Sequence, residues 1–291
     1  MKKDKLTIVL VNYNFGNILL ELLESLLKLR DEIDPDIWVV DNASEDGSIK
    51  DAKKFFPDLH YIENKNNLGF GAANNQALGQ IDNEYILVLN PDTKIPSGTL
   101  SFMLSFLKEH PEVGAATCRA LKSDGKMDWA YHRGFPTPWA SLLYFMGNDR
   151  LYHLTSRDMN KAHEVDAISG SFFLTRKSVL DKVGLFDEDY WMYAEDIDLC
   201  YRIKKAGYKV MYVPDVQVTH LKGVSSGIKE HSEGISTAKK ESKKRAFNAF
   251  YETMKIFYRK NLASRYPFFI DWLVYLAIDL KWLLAKRKMR V

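Results

Sequence analysis

Residues 6–14 read LTIVLVNYN. An unbroken apolar and β-branched run that stops at two asparagines does not alternate between faces, so it predicts a strand buried on both sides. The segments that follow alternate with it. Ile18 to Arg30 reads as a leucine-rich helix with Asn17 as its cap. IWVVDN (37–42) is a second strand, Ser48 to Phe56 a helix and LHYIEN (59–64) a third strand. NLGFGAANNQALG (67–79) is a glycine-rich loop entering a helix, EYILVLNPD (84–92) a fourth strand, Ser97 to Glu109 a helix and VGAATCRAL (113–121) a fifth strand. DAISGSFFLTR (166–176) is a strand pair or strand–turn, and a short helix after it is closed by Gly184. A further helix is closed by Gly207, and YKVMYVPD (208–215) is one more strand. Alternation of this kind predicts an α/β fold: a mostly parallel central sheet flanked by helices.

The 291 residues are 46% hydrophobic, enough for one large domain or a domain with an extension. A formal net charge of +3 is mild, and no nucleic-acid partner is expected. Cys118 and Cys200 are far apart, lack metal-ligand spacing and read as core residues of a chain in a reducing cytoplasm. The start, MKKDKLTIVLVNYN, superficially resembles a signal peptide. Its apolar run is short and ends in asparagines, so a buried strand is the expectation. No apolar run reaches the roughly eighteen residues of a membrane-spanning helix.

Open sheets of this class bind ligands beyond the carboxyl ends of their strands. The polar residues gather there: Asn12 after the first strand, Asp41 after the second, Asn90 and Asp92 after the fourth. Asp41 suits a nucleobase imide or a ribose hydroxyl, and equally a turn. Gly69 and Gly71 permit close backbone approach at a helix N-terminus that suits a diphosphate, although the loop is neither a Walker sequence nor GxGxxG. Asp92 is either a loop cap or a metal ligand, with His220 its best partner; such a pair suits Mg²⁺ or Mn²⁺. Residues 190–202, YWMYAEDIDLCYR, set Glu195, Asp196 and Asp198 behind Trp191 and Tyr193. These acids are either favourable charges at a helix start, a metal site, or a catalytic base with its supports. Arg202, one turn beyond Asp198, is placed to pair with it.

Taken together, TIVLVNYN, VDNASEDGS, NKNNLGFGAANNQA, LNPDT, SGSFFLTRKSVLDKVGLFDEDYWMYAEDIDLCYRIKKAGYKV and VTHLKGVSS resemble the inverting family 2 glycosyltransferases, nearest to their rhamnosyltransferase-like branch. The strings lie in the family's order over about residues 6 to 226. The resemblance implies an A-type nucleotide-sugar-binding fold and a metal-dependent transfer of a sugar, expected to be L-rhamnose from dTDP-rhamnose. The acceptor is a glycan, lipid-linked, in cell-surface polysaccharide synthesis. It implies Asp196 as general base and a donor side built from Asn12, Asp41, Gly69, Asn75, Asn90 and Asp92. Asp92 and His220 would hold the metal. Asn90 stands where many relatives have Asp. Trp191, Tyr193, Glu195, Asp198 and Arg202 fall on the acceptor side or support the base. The competing readings are a non-catalytic nucleotide-sugar-binding or scaffold subunit, and a nucleotidyltransferase or dinucleotide oxidoreductase, whose glycine-rich loops are absent from the sequence.

Residues 1–226 read as the catalytic domain and 227–291 as a basic helical extension. In RYPFFIDWLVYLAIDLKWLLAKRKMR (265–290), Asp271, Asp279 and Lys281 project on one side of a helix and the rest is apolar, with a basic tail. Such an amphipathic helix is expected to lie on an anionic membrane at the cytoplasmic face; packing on its own domain, or a homodimer through these helices, is the alternative. Lys122 to Val165 reads as an irregular, substrate-covering segment.

Overall fold

A computed structural model of the chain describes residues 3–221 and 240–288. The domain boundary expected between 226 and 227, and the GVSS end of the last motif, lie outside the described residues. The strands are β1 (Lys5–Asn12), β2 (Asp34–Asp41), β3 (His60–Glu63), β4 (Tyr85–Leu89), β5 (Thr93–Lys94), β6 (Val113–Lys122), β7 (His163–Val165), β8 (Phe172–Arg176) and β9 (Lys209–His220). The helices are α1 (Asn17–Lys28), α2 (Ser48–Phe55), α3 (Phe70–Leu78), α4 (Thr99–Glu109), α5 (Pro138–Phe145), α6 (Lys177–Val183), α7 (Glu195–Lys205), α8 (Lys240–Phe257) and α9 (Phe268–Lys288).

One sheet runs in the order β3-β2-β1-β4-β8-β6-β9-β5, with β7 also paired to β9. β1 pairs parallel with β2 and β4, β2 with β3, and β6 with β9. β8 runs antiparallel between β4 and β6. The parallel core follows from the alternation of strands and helices. The reversed β8 does not, because a fully buried strand reads the same in either direction.

β1 shows why the sheet is covered on both sides. Leu6, Ile8 and Leu10 pack with α1 and α4 in one core, and Val9 and Val11 with α3 in the other. Each fully buried aliphatic side chain contributes about 1.5–3 kcal/mol, so this strand anchors both layers. Cys118 and Cys200 are free and buried, where burial pushes the Cys200 thiol up to about 12.

α9 is present, but its polar side faces the protein. Asp271 accepts from the Tyr258 hydroxyl at 2.6 Å, Asp279 pairs with Lys255 at 2.5 Å, and Trp282 donates to Asn248 at 3.1 Å. Val274 and Tyr275 pack on the core beside them. No helix among the described residues is long and apolar enough to cross a membrane.

Candidate active site

The strand ends are stitched into one edge. The buried Asn12 amide donates to Asp41 Oδ1 at 2.7 Å, Ser48 Oγ at 2.8 Å and Ser44 Oγ at 3.0 Å. Asp41 Oδ2 accepts the Ser44 N–H at 3.0 Å, and Asn12 Oδ1 is buried without a hydrogen bond. The chain leaves β1 and β2 through Asn14 and Ala43, both left-handed at φ 58° and 67°. Such conformations cost about 1–3 kcal/mol each in non-glycine residues and collect at functional sites.

Asn42 was not singled out from sequence, yet it holds the glycine-rich loop. Its amide donates to Asn67 Oδ1 and Gly69 O, and its oxygen accepts the Leu68 N–H at 3.0 Å. Gly69 has φ +95°, and a Cβ there would lie 2.1 Å from the Trp191 carbonyl oxygen. The open face of this glycine is thus filled by the backbone of the acidic segment, which also accepts the Phe70 N–H at 2.9 Å. Asn75 uses its amide on the same segment, bonding Phe186 O, the Phe186 N–H and Glu188.

A second cluster forms beyond β4. Thr93 of β5 is in register with His220 of β9, which sets His220 beside Asp92. His220 Nε2 lies 3.2 Å from Asp92 Oδ1, an ion-pair distance without hydrogen-bond alignment, and Asp92 Oδ1 has no hydrogen bond. The other imidazole nitrogen, Nδ1, is 3.1 Å from Asp128 Oδ2. All three side chains are buried. Burial alone would lower the His220 pKa, but the charge of Asp92, with the bond to Asp128 and its charge, raises it to about 9. Asp128 gave no sequence signal: it follows a turn and is fixed by its own N–H to Ala120 O at 2.8 Å.

Among the described residues no group of three or more His, Cys, Asp and Glu side chains could hold a metal. A cation here would be held by Asp92 Oδ1 and, once its proton is released, by His220 Nε2. Their 3.2 Å separation matches the roughly 3 Å expected between neighbouring ligands of an octahedral cation with bonds near 2.1 Å. A hard divalent cation with few protein ligands and the rest from phosphate and water fits this donor set.

The third cluster opens α7. Tyr193 and Ala194 are both left-handed, at φ 73° and 65°, and turn the chain sharply into the helix. Asp196 is buried. Its Oδ2 accepts from Arg133 at 2.9 Å and from the Gly170 N–H at 3.2 Å. The same Ser169–Ser171 turn holds Asn90, whose amide donates to Ser171 Oγ at 3.2 Å and whose N–H donates to Ser171 O at 3.1 Å. An aspartate at 90 could keep the first contact only in reverse, by accepting from the Ser171 hydroxyl. One short turn therefore ties the β4 end to Asp196.

Glu195 behaves differently from the charged support expected of it. Burial, reinforced by the negative charge of Asp196, raises its pKa to about 8, and its Oε2 is buried without a partner. At neutral pH the protonated form of Glu195 is favoured. The folded protein thus holds a proton that the unfolded chain, at an ordinary value of 4.5, gives up. Its contribution is fully present below the unfolded value and is lost as pH rises towards about 8. Glu195→Gln is expected to melt above the parent at pH 8, with the difference vanishing towards pH 4.5. Thermal melts across that range check it; equal melting temperatures at pH 8 would refute it.

Asp198 and Arg202 form a brace. Arg202 Nε bonds Asp198 Oδ2 at 2.8 Å, and its other nitrogens bond the carbonyls of Val183, Gly184 and Leu185. Asp198 Oδ1 also accepts from Asn261 at 2.8 Å, which fastens the C-terminal extension to α7. The aromatics in front are covered by α8. The Arg245 guanidinium lies 3.9 Å from the Trp191 ring centre, and Tyr193 meets Phe250 edge-on at 5.7 Å.

Arg133, in the segment that gave no periodicity, is the main residue that sequence reasoning missed. Burial opposes its charge, but Asp196 more than offsets this and holds it firmly protonated. Arg133→Gln would leave Asp196 buried without its cation. A drop in melting temperature of several degrees is expected, because breaking a buried ion pair costs about 3–5 kcal/mol. An unchanged melting temperature would show that the pair carries no net stability.

The class of protein, a sugar-transferring enzyme, is shown by a family match that spans most of the sheet. The Glycosyl transferase family 2 profile matches residues 7–184, and the chain belongs to that family. It is 29% identical over 252 residues to N-acetylglucosaminyl-diphospho-decaprenol L-rhamnosyltransferase of Mycobacterium tuberculosis, covering 77% of this chain and 78% of that protein. It is also 29% identical over 221 residues to the rhamnosyltransferase WbbL of Escherichia coli K12, covering 73% of this chain and 82% of that one. Its fold is similar to that of the mannosyltransferase PcManGT from Pyrobaculum calidifontis, solved with GDP-Man and Mn²⁺. The TM-score is 0.58 and the identity 18%, over 100% of this chain and 77% of that one.

Proposed function

We propose that this glycosyltransferase moves L-rhamnose from dTDP-rhamnose to a hydroxyl of a lipid-linked glycan, with inversion, at the cytoplasmic face of a membrane. The observation that carries the reading is the buried Asp196 carboxylate, joined by the Ser169–Ser171 turn to the strand end that leads to Asp92. The names of both relatives above support rhamnose, and that of the first supports a polyprenyl-diphosphate acceptor.

In this mechanism the acceptor oxygen attacks the anomeric carbon as the bond from that carbon to the diphosphate oxygen breaks. The acceptor proton passes to Asp196, which Arg133 and the Gly170 N–H orient. Asn12 and Asp41 hold the nucleoside, while Asn42 fixes the loop that carries Gly69. Asp92 and His220 would hold Mg²⁺ or Mn²⁺, which when bound neutralises charge developing on the diphosphate. Trp191 and Tyr193, half-buried under Arg245 and Phe250 of α8, lie on the acceptor side.

Calorimetric titration with dTDP-, UDP- and GDP-sugars, with and without Mn²⁺, tests the reading. dTDP-rhamnose is expected to bind best, and more tightly with the metal. Preference for another nucleotide sugar would overturn the donor, and binding indifferent to Mn²⁺ would overturn the metal.

A further inference from the structure

We infer that α5 and α9 together form one lipid-docking face that seats in the headgroup region of an anionic bilayer. The inference rests on the lipid-linked acceptor proposed above and names the surface that delivers the site to it.

α9 is turned opposite to a water-soluble amphipathic helix. Its polar side chains are consumed by the protein, through Asp271, Asp279 and Trp282. Its outer side shows Phe269, Trp272, Leu276, Leu280, Leu283 and Leu284, with Trp272 64% and Leu284 60% exposed. The one acid near this outer side, Asp279, is already paired with Lys255. α5 repeats the pattern. Of its eight residues only Ala140 is buried, and Trp139, Leu142, Phe145 and the following Met146 stand exposed, at 60% for Trp139 and 74% for Met146.

The two elements meet. Lys281 Nζ lies 3.8 Å from the Phe145 ring centre, so the edge of α9 that borders its apolar side meets the exposed aromatic of α5. A contiguous exposed apolar surface on two separate elements marks an interaction site rather than scattered surface residues. Charge complementarity selects the occupant. The last turn of α9 carries Lys286, Arg287 and Lys288 and no acid. An apolar, aromatic face bordered by cations fits anionic lipid headgroups over acyl chains. A second copy of this chain would instead bring the same cations together. The face is tied to the site at both ends: Arg133, on Asp196, lies just before α5, and Asn261, on Asp198, lies just before α9.

Binding of the full chain to phosphatidylcholine vesicles, alone or mixed equally with phosphatidylglycerol, tests this. Leu142→Ser with Met146→Ser, and separately Leu280→Ser with Leu284→Ser, are each expected to weaken binding to the mixed vesicles about tenfold or more. Both native cysteines are buried, so Met146→Cys and Leu280→Cys accept an environment-sensitive fluorophore selectively. Both labels are expected to shift to the blue on mixed vesicles. Unchanged binding of the α5 variant with no shift at 146 would overturn the joint face. A lipid-free dimer that these substitutions dissolve, without vesicle binding, would overturn the lipid occupant. Donor binding is measured in parallel. If the parent chain fails to bind the mixed vesicles while it still binds donor, the docking face is refuted; if it binds vesicles but no donor, the transfer reading is refuted.

Discussion

Asp196→Asn is expected to lower the turnover of sugar transfer by about 10³-fold, within the range associated with losing a positioned general base. The amide has nearly the same shape and can still accept one hydrogen bond from Arg133 or Gly170, but it cannot take the acceptor proton. Donor affinity is expected to stay within about twofold, since Asp196 makes no contact with Asn12, Asp41 or the loop that Asn42 holds. Steady-state transfer and donor calorimetry on one preparation separate the two quantities. Turnover close to that of the parent would remove Asp196 from its role. A parallel loss of donor affinity would show that the substitution disturbs the fold of the α7 start.

Asp92→Ala carries the second large effect. It removes one of the two donors that face each other across 3.2 Å and leaves His220 paired only to Asp128. Donor affinity in Mn²⁺ is expected to fall about a hundredfold, and added chelator should then have no further effect. The same chelator should sharply reduce transfer by the parent. If the parent is indifferent to chelator, or if Asp92→Ala keeps metal-dependent donor binding, the Asp92–His220 pair is structural.

The two substitutions probe clusters that differ in legibility. The polar edge was readable because each polar residue ends a buried strand, and a side chain at such an end cannot be explained by the ladder. Asn12, Asp41 and Asp92 stand out on that ground alone. Asn75 lies in the same loop region but spends its amide on residues 186–188, a distant tether without local signature. Gly69 was expected to admit a ligand. Its tight neighbour is instead the Trp191 carbonyl, so the glycine locks the loop to the acidic segment.

The acids at 195–198 show the limit most clearly. As sequence they are three like charges. Burial makes Glu195 neutral, Arg133 claims Asp196, and Arg202 with Asn261 claims Asp198. Only the i,i+4 pair of Asp198 and Arg202 follows from helix geometry. The others depend on residues more than sixty positions away.

By itself the sequence determined the alternating strand–helix order, the two-sided burial of β1, the polar edge and the presence of a long C-terminal helix. These follow from local periodicity and from where apolar runs stop. The tertiary structure alone decided that β8 runs reversed, that Asp128 backs His220, that Arg133 meets Asp196 and that α9 turns its polar side inward. Strand register and side-chain pairing across the fold are set by long-range contacts that leave no period. A helical period defines a polar and an apolar side, but the partners waiting at Tyr258, Lys255 and Asn248 decide which side is buried.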